Sequence, residues 1–127
     1  MGLVYRARQR RPERIVAIKV ISPELGSDPS FRARFEQEST AAAQIEHPNV
    51  IPVYEVGEQD DRLYIVMRFV QGVDLGVLLA EHGRLEASRA ARLIAQVGDA
   101  LDAAHAHGLV HRDVKPGNVL VAANISA

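Results

Sequence analysis

The stretch Val-His-Arg-Asp-Val-Lys-Pro-Gly-Asn-Val-Leu-Val, residues 110–121, limits the fold more than any other part of the chain. Pro116-Gly117 forbids a continuous helix through it. Val110 before the loop and Val119 to Val121 after it read as brief strands. A loop with both ends pinned is therefore required. On it stand Asp113, Lys115 and Asn118: a carboxylate, an ammonium and an amide. Such a set can take a proton from a hydroxyl, steady a phosphoryl group and hold a metal ion. A solvated polar turn is the plain alternative.

Upstream, one strand carries a charge where none belongs. Ile15 to Ile21 is apolar on both faces, the pattern of a strand interior to a sheet. Its odd-numbered face is Ile15, Ala17, Lys19 and Ile21. An unpaired ammonium there is costly. Either Lys19 reaches water near the strand end, or it faces a fixed anion while the small Ala17 beside it admits a flat ring.

The next helix offers that anion. Asp28-Pro29 is a helix start, with Asp as cap and Pro at the first helical position. At about 100° per residue, Phe31, Phe35, Glu38, Ala42 and Ile45 share a stripe roughly 80° wide. Glu38 falls in its middle, and Glu36 points to solvent. The expectation is a Lys19–Glu38 pair. At about 4 Å and an effective dielectric near 20 it gains on the order of 4 kcal/mol before desolvation, and desolvation can cancel that gain. Its use is to fix the lysine head where an anionic group must sit.

The remaining elements follow from local signals. Residues 1–8 read as a strand entered through Gly2, and residues 10–14 as a polar turn into the next strand. His47-Pro48-Asn49-Val50 ends the helix. Val50 to Val56 and Leu63 to Val70 read as a hairpin joined through Gln59-Asp60-Asp61. Gln71-Gly72 marks a boundary. Asp74 caps a short helix through Leu75, Leu78 and Leu79, which Gly83 ends. The longest helix runs from about Glu86 to His107, with Leu93, Ile94, Val97, Leu101 and Ala104 on one face and Gly108 closing it. Strands with one helix, followed by helices, give an α+β order.

Bulk properties narrow the function classes. A net charge of −1 argues against a nucleic-acid surface. Without cysteine there is no disulfide framework or thiolate metal site. No apolar run approaches the roughly 18 residues of a membrane segment, and no signal-peptide core is present, so a cytoplasmic chain is expected. His105, His107 and His111 make a poor zinc site, because an i, i+2 pair diverges on a helix.

Taken together, these motifs resemble those of protein kinases. Residues 111–118 match the catalytic loop H-R-D-x-K-x-x-N. With the proline at 116, six positions match (His, Arg, Asp, Lys, Pro and Asn); at about 1 in 20 each, that amounts to roughly one chance in several hundred thousand for a chain this short. Val16-Ala17-Ile18-Lys19 matches V-A-I-K, while Gly2 and Val4 resemble the final G-x-V of the glycine-rich loop. Lys115, two places after Asp113, is similar to the serine/threonine branch, and the Ala- and Arg-rich wording to its bacterial members.

The resemblance implies a protein-kinase-like fold. Residues 1–70 would form a small antiparallel β-rich N-lobe with one helix. Residues 71–127 would hold the first helices and catalytic loop of a helical C-lobe. It also implies ATP and Mg2+ as cofactors and a protein substrate with Ser or Thr hydroxyls. By the same resemblance Asp113 is the base, Lys115 steadies the phosphoryl group, Asn118 ligates the metal, and Lys19 holds the α- and β-phosphates with Glu38 as its partner. Gly2, Val4, Ala17, Lys19, Met67 and Val70 would line the nucleotide site, with Met67 as gatekeeper and Val70 as backbone donor in a hinge at residues 68–70. His111 would buttress the loop, and Arg112 would pair with a phosphate on an activation loop. Arg68 stands where related kinases more often carry an acidic residue, which alters hinge polarity.

The first two glycines of the glycine-rich loop, the Asp-Phe-Gly segment and Ala-Pro-Glu are not among the 127 residues. The expectation is an incomplete kinase domain, inactive as this piece alone. Apolar helix faces within residues 74–107 should lie uncovered, at about 25 cal/mol for each Å². A non-catalytic nucleotide-binding or docking remnant is the alternative, disfavoured by the intact set Lys19, Glu38, Asp113 and Asn118. Small-molecule phosphotransfer on the same fold is disfavoured by Lys115.

Overall fold

Four strands, β1 (Gly2–Arg10), β2 (Glu13–Ile21), β3 (Val53–Gln59) and β4 (Arg62–Arg68), form an antiparallel sheet in the order β1-β2-β4-β3. The computed structural model describes residues 2–110 and 114–122. β2 is interior, as its two apolar faces require. The β3–β4 turn uses Asp60 and Asp61 at φ 52° and 63°. This is the left-handed pair a tight hairpin needs, and aspartate tolerates it.

Register decides what shares a face. Val4 stands opposite Lys19, and Lys19 opposite Ile65; Arg6 stands opposite Ala17, and Ala17 opposite Met67. Directly opposed residues project to the same side. One face of the sheet therefore carries Val4, Arg6, Ala17, Lys19, Ile65 and Met67. Tyr5, Val16, Ile18 and Val20 project from the other.

After β2 come α1 (Pro23–Gly26) and α2 (Pro29–Ala42). The α2 cap is the expected one: Asp28 Oδ1 accepts the Ser30 N–H at 3.0 Å. Phe35 packs on Ile21 and Leu63, with Leu25, Phe31, Val56 and Ile65 around them. This is the core of the sheet half, and it covers only one end of the Lys19 face. Arg32 clamps the start of α2 from two sides. Its guanidinium donates to the Gly26 carbonyl at 2.7 Å and to the Glu58 carboxylate on β3 at 2.5 Å.

Two expected strands differ. β3 begins at Val53 instead of Val50, because residues 47–50 turn: the Val50 N–H reaches the His47 carbonyl at 3.1 Å. Pro52 has no N–H to give, and its carbonyl accepts the Arg68 N–H at 3.0 Å. Val110 lies outside any strand and is 64% exposed. The strand after the loop, β6 (Leu120–Ala122), pairs instead with β5 (Gly72–Asp74), a three-residue element without periodic signal.

The helical half begins at α3 (Leu75–His82). Asp74 Oδ1 accepts the Val77 N–H at 2.8 Å, and Gly83 ends the helix at φ 70°. α4 (Ala87–Ala106) follows, and Gly108, at φ 79°, turns the chain out of it. Left-handed φ at both positions is glycine's province. No residue of α4 is buried, and Ile94 is 64% exposed. Of the apolar face expected to lie uncovered, Ile94 alone is exposed; Leu93, Val97, Leu101 and Ala104 are half-buried. Asn49 Nδ2 donates to Gln96 Oε1 at 3.1 Å, joining the turn before β3 to α4. Among the described residues no helix is long and apolar enough to cross a membrane.

Candidate functional site

The sheet face that α2 leaves open is the candidate site. Val4, Lys19 and Ile65 form one cross-strand row, and Arg6, Ala17 and Met67 the next. Val4 is exposed, while Ala17, Lys19 and Met67 are half-buried. Gly2 lies opposite Ile21 at the strand end. A methyl side chain at Ala17, with Val4 diagonal to it, leaves an apolar shelf one residue thick. Lys19 stands at its edge.

Two charges project from this face, Lys19 at the edge of the shelf and Arg6 opposite Ala17. Between described residues the ion pairs are Arg8–Glu13 and Arg32–Glu58, and Lys19 is in neither. The expected Lys19–Glu38 pair is thus not closed within 4.0 Å in this structure. The reason lies in the rotation of α2. Its buried residues are Phe35 and Ser39, so the buried arc is centred between them. At 100° per residue Glu38 lies about 80° from that centre, on the flank of the helix. It is half-buried there, and it is not without a partner.

Ser39 was not visible in the periodicity. It is buried at 7% exposure because its hydroxyl donates within the helix to the Phe35 carbonyl. A serine satisfied in this way presents a small apolar surface. Counted with the apolar residues, Ser39 moves the centre of the stripe about 20° away from Glu38.

Residues 68–70, where a hinge is expected, lie at the end of β4. The Arg68 N–H is held by the Pro52 carbonyl. Phe69 and Val70 are half-buried, and the Val70 N–H enters no backbone hydrogen bond among the described residues. The Arg6 guanidinium lies over the Phe69 ring, 5.1 Å from its centroid. Arg6 thus belongs to the candidate site and was missed in the sequence, although its alternation with Val4 along β1 places it on the same face.

His111, Arg112 and Asp113 lie outside the described residues. Lys115 is extended, and Pro116–Asn118 form a 3-10 turn in which the Asn118 N–H reaches the Lys115 carbonyl at 2.9 Å. Lys115 and Asn118 are both exposed, and neither is without a partner. The turn is seated on α3: a Cβ added at Gly76 would come within 3.7 Å of the Gly117 N. The Leu75 N–H donates to the Val119 carbonyl at 2.7 Å, tying the loop's exit to the start of α3.

Comparison with known proteins is consistent across sequence and structure. The protein kinase domain model matches residues 1–126. The serine/threonine-protein kinase PknE of Mycobacterium bovis is 48% identical over 124 residues, which are 98% of this chain and 22% of that protein. PknD of Mycobacterium tuberculosis is 42% identical over 124 residues, 98% of this chain and 19% of that protein. The solved kinase domain of M. tuberculosis PknI superposes with a TM-score of 0.91 at 36% identity, covering 98% of this chain and 50% of that one. The chain therefore spans about a fifth of these curated relatives and half of the solved domain, and its fold is protein-kinase-like.

Proposed function

The chain belongs to the serine/threonine protein kinase family, and we propose that it supplies the nucleotide-holding face and catalytic loop of a kinase transferring the terminal phosphoryl group of ATP to protein Ser or Thr hydroxyls. One observation carries this reading. Lys19 is half-buried on a sheet face, beside the small Ala17, with no ion-pair partner among the described residues. A lysine so placed is the fixed cation that a polyphosphate requires.

The other roles follow by residue. Val4 and Ala17 bracket the adenine, Met67 backs it, and the Val70 N–H donates to its edge. Gly2 lets the backbone approach the phosphates without a Cβ. Asp113 takes the hydroxyl proton, and Lys115 steadies the phosphoryl group as charge develops on it. Magnesium, when bound, neutralises charge on the phosphates, and Asn118 is the ligand this chain provides for it. Glu38 orients Lys19 in the nucleotide-bound form, which takes a turn of α2 about its axis. Residues 1–70 are the N-lobe and residues 71–127 the beginning of the C-lobe.

The part proposed for these 127 residues is to hold ATP and to present Asp113 to the substrate hydroxyl. The second metal-binding carboxylate of the family, in Asp-Phe-Gly, is not among them, and fixed charge of that kind dominates phosphoryl transfer. Calorimetric titration with Mg-ATP tests the reading. Lys19→Ala should weaken binding at least tenfold, while Asp113→Asn, which alters a group facing the substrate hydroxyl, should leave it within twofold. Equal affinity of the wild type and Lys19→Ala would overturn the assignment.

A further inference from the structure

The guanidinium of Arg6 lies 5.1 Å from the Phe69 centroid. Three features make this more than a surface contact. Arg6 stands in the same cross-strand row as Ala17 and Met67, so it projects from the face that carries Lys19. Phe69 lies two residues past Met67, directly before Val70. The other side of this segment is already fixed, since the Arg68 N–H is held by the Pro52 carbonyl at 3.0 Å. The connection from β4 to β5 is therefore gripped at residue 68 by a backbone bond and at residue 69 by a side chain from β1, two strands away.

We propose that Arg6 is a positioning residue for base recognition. Through the face of Phe69 it holds the hinge backbone so that the Val70 N–H is presented to the edge of the adenine. The inference rests on the nucleotide reading given above and adds the part of the ligand it governs. Arg6 acts on the base, and Lys19 acts on the phosphates. The cation of Arg6 is engaged by the ring quadrupole, and it lies in a different cross-strand row from Lys19. Its loss should therefore be felt by adenosine as strongly as by ATP.

A cation–π contact at an exposed site corresponds to about a two- to fivefold change in affinity. Titrations of the chain with Mg-ATP, adenosine and inorganic tripolyphosphate separate the parts. Arg6→Ala should weaken Mg-ATP and adenosine by the same factor, about two- to fivefold, and leave tripolyphosphate unchanged. Arg6→Lys should recover most of the loss. In a Phe69→Leu background Arg6→Ala should have no further effect, because the two act as one unit. Circular dichroism melting of each variant separates this from unfolding, and Phe69→Leu keeps the test available if Arg6→Ala melts early. Loss of tripolyphosphate binding in Arg6→Ala, or additive effects with Phe69→Leu, would overturn the positioning role. So would an unchanged adenosine affinity in Arg6→Ala while Lys19→Ala still weakens Mg-ATP binding at least tenfold, an outcome that leaves the nucleotide reading standing. Equal Mg-ATP affinity in the wild type and Lys19→Ala would remove both.

Discussion

Arg32 is where the position of α2 can be measured as an energy. One limb of its guanidinium donates to the Gly26 carbonyl at 2.7 Å and the other to the Glu58 carboxylate at 2.5 Å. The two side chains are 31% and 41% exposed. A hydrogen bond to a charged group contributes about 1.5–3 kcal/mol when shielded from water, and an exposed ion pair only about 0.2–1 kcal/mol. At this exposure Arg32→Ala, which removes both contacts, should cost about 1–2 kcal/mol. Glu58→Ala should cost about 0.3–1 kcal/mol, since Arg32 keeps its bond to Gly26. Urea unfolding followed by circular dichroism resolves the difference, and the double variant gives the coupling. In about 1 M NaCl, where the screening length falls to about 3 Å, the Arg32–Glu58 coupling should shrink while the Gly26 share of the Arg32→Ala cost persists. A Glu58→Ala cost equal to that of Arg32→Ala, or a coupling indifferent to salt, would refute this division of labour.

Two further outcomes follow from contacts already described. Phe35→Ala empties the centre of the cluster formed with Ile21 and Leu63, and should destabilise the chain by about 3–5 kcal/mol in urea unfolding. Asp74→Ala removes the α3 cap at about 1 kcal/mol. Because the neighbouring Leu75 N–H is bonded to Val119, amide exchange should speed up at Leu75 and along β6 as well as in α3.

Local chemistry was legible in the sequence, and long-range geometry was only partly so. Asp28, Asp74, Gly83 and Gly108 mark helix ends through bonds and dihedrals that span a few residues, so their roles can be read from the residue type. Lys19 was identifiable because a charge interrupts an apolar strand, and the register then placed Val4, Ala17 and Met67 around it. Glu38 was placed too centrally because the stripe was drawn from apolar residues alone, and the buried Ser39 shifts the true arc away from it. β5 is three residues long and exists only through its partner β6, a pairing no local pattern encodes. The Arg6–Phe69 contact depends on β1 register and on the path of the chain after β4 together, so neither residue announces it alone.

Methyl-resolved NMR of the chain during Mg-ATP titration compares the two faces of one sheet directly. Val4, Ala17, Met67 and Val70 should shift progressively, while Ile18 and Val20, on the opposite face of β2, and Ile94 on α4 should remain in place. Shifts centred on Ile18 and Val20, or on Val56 and Leu63 beside α2, with Val4 and Ala17 unmoved, would contradict the assignment of the Lys19 face as the nucleotide site.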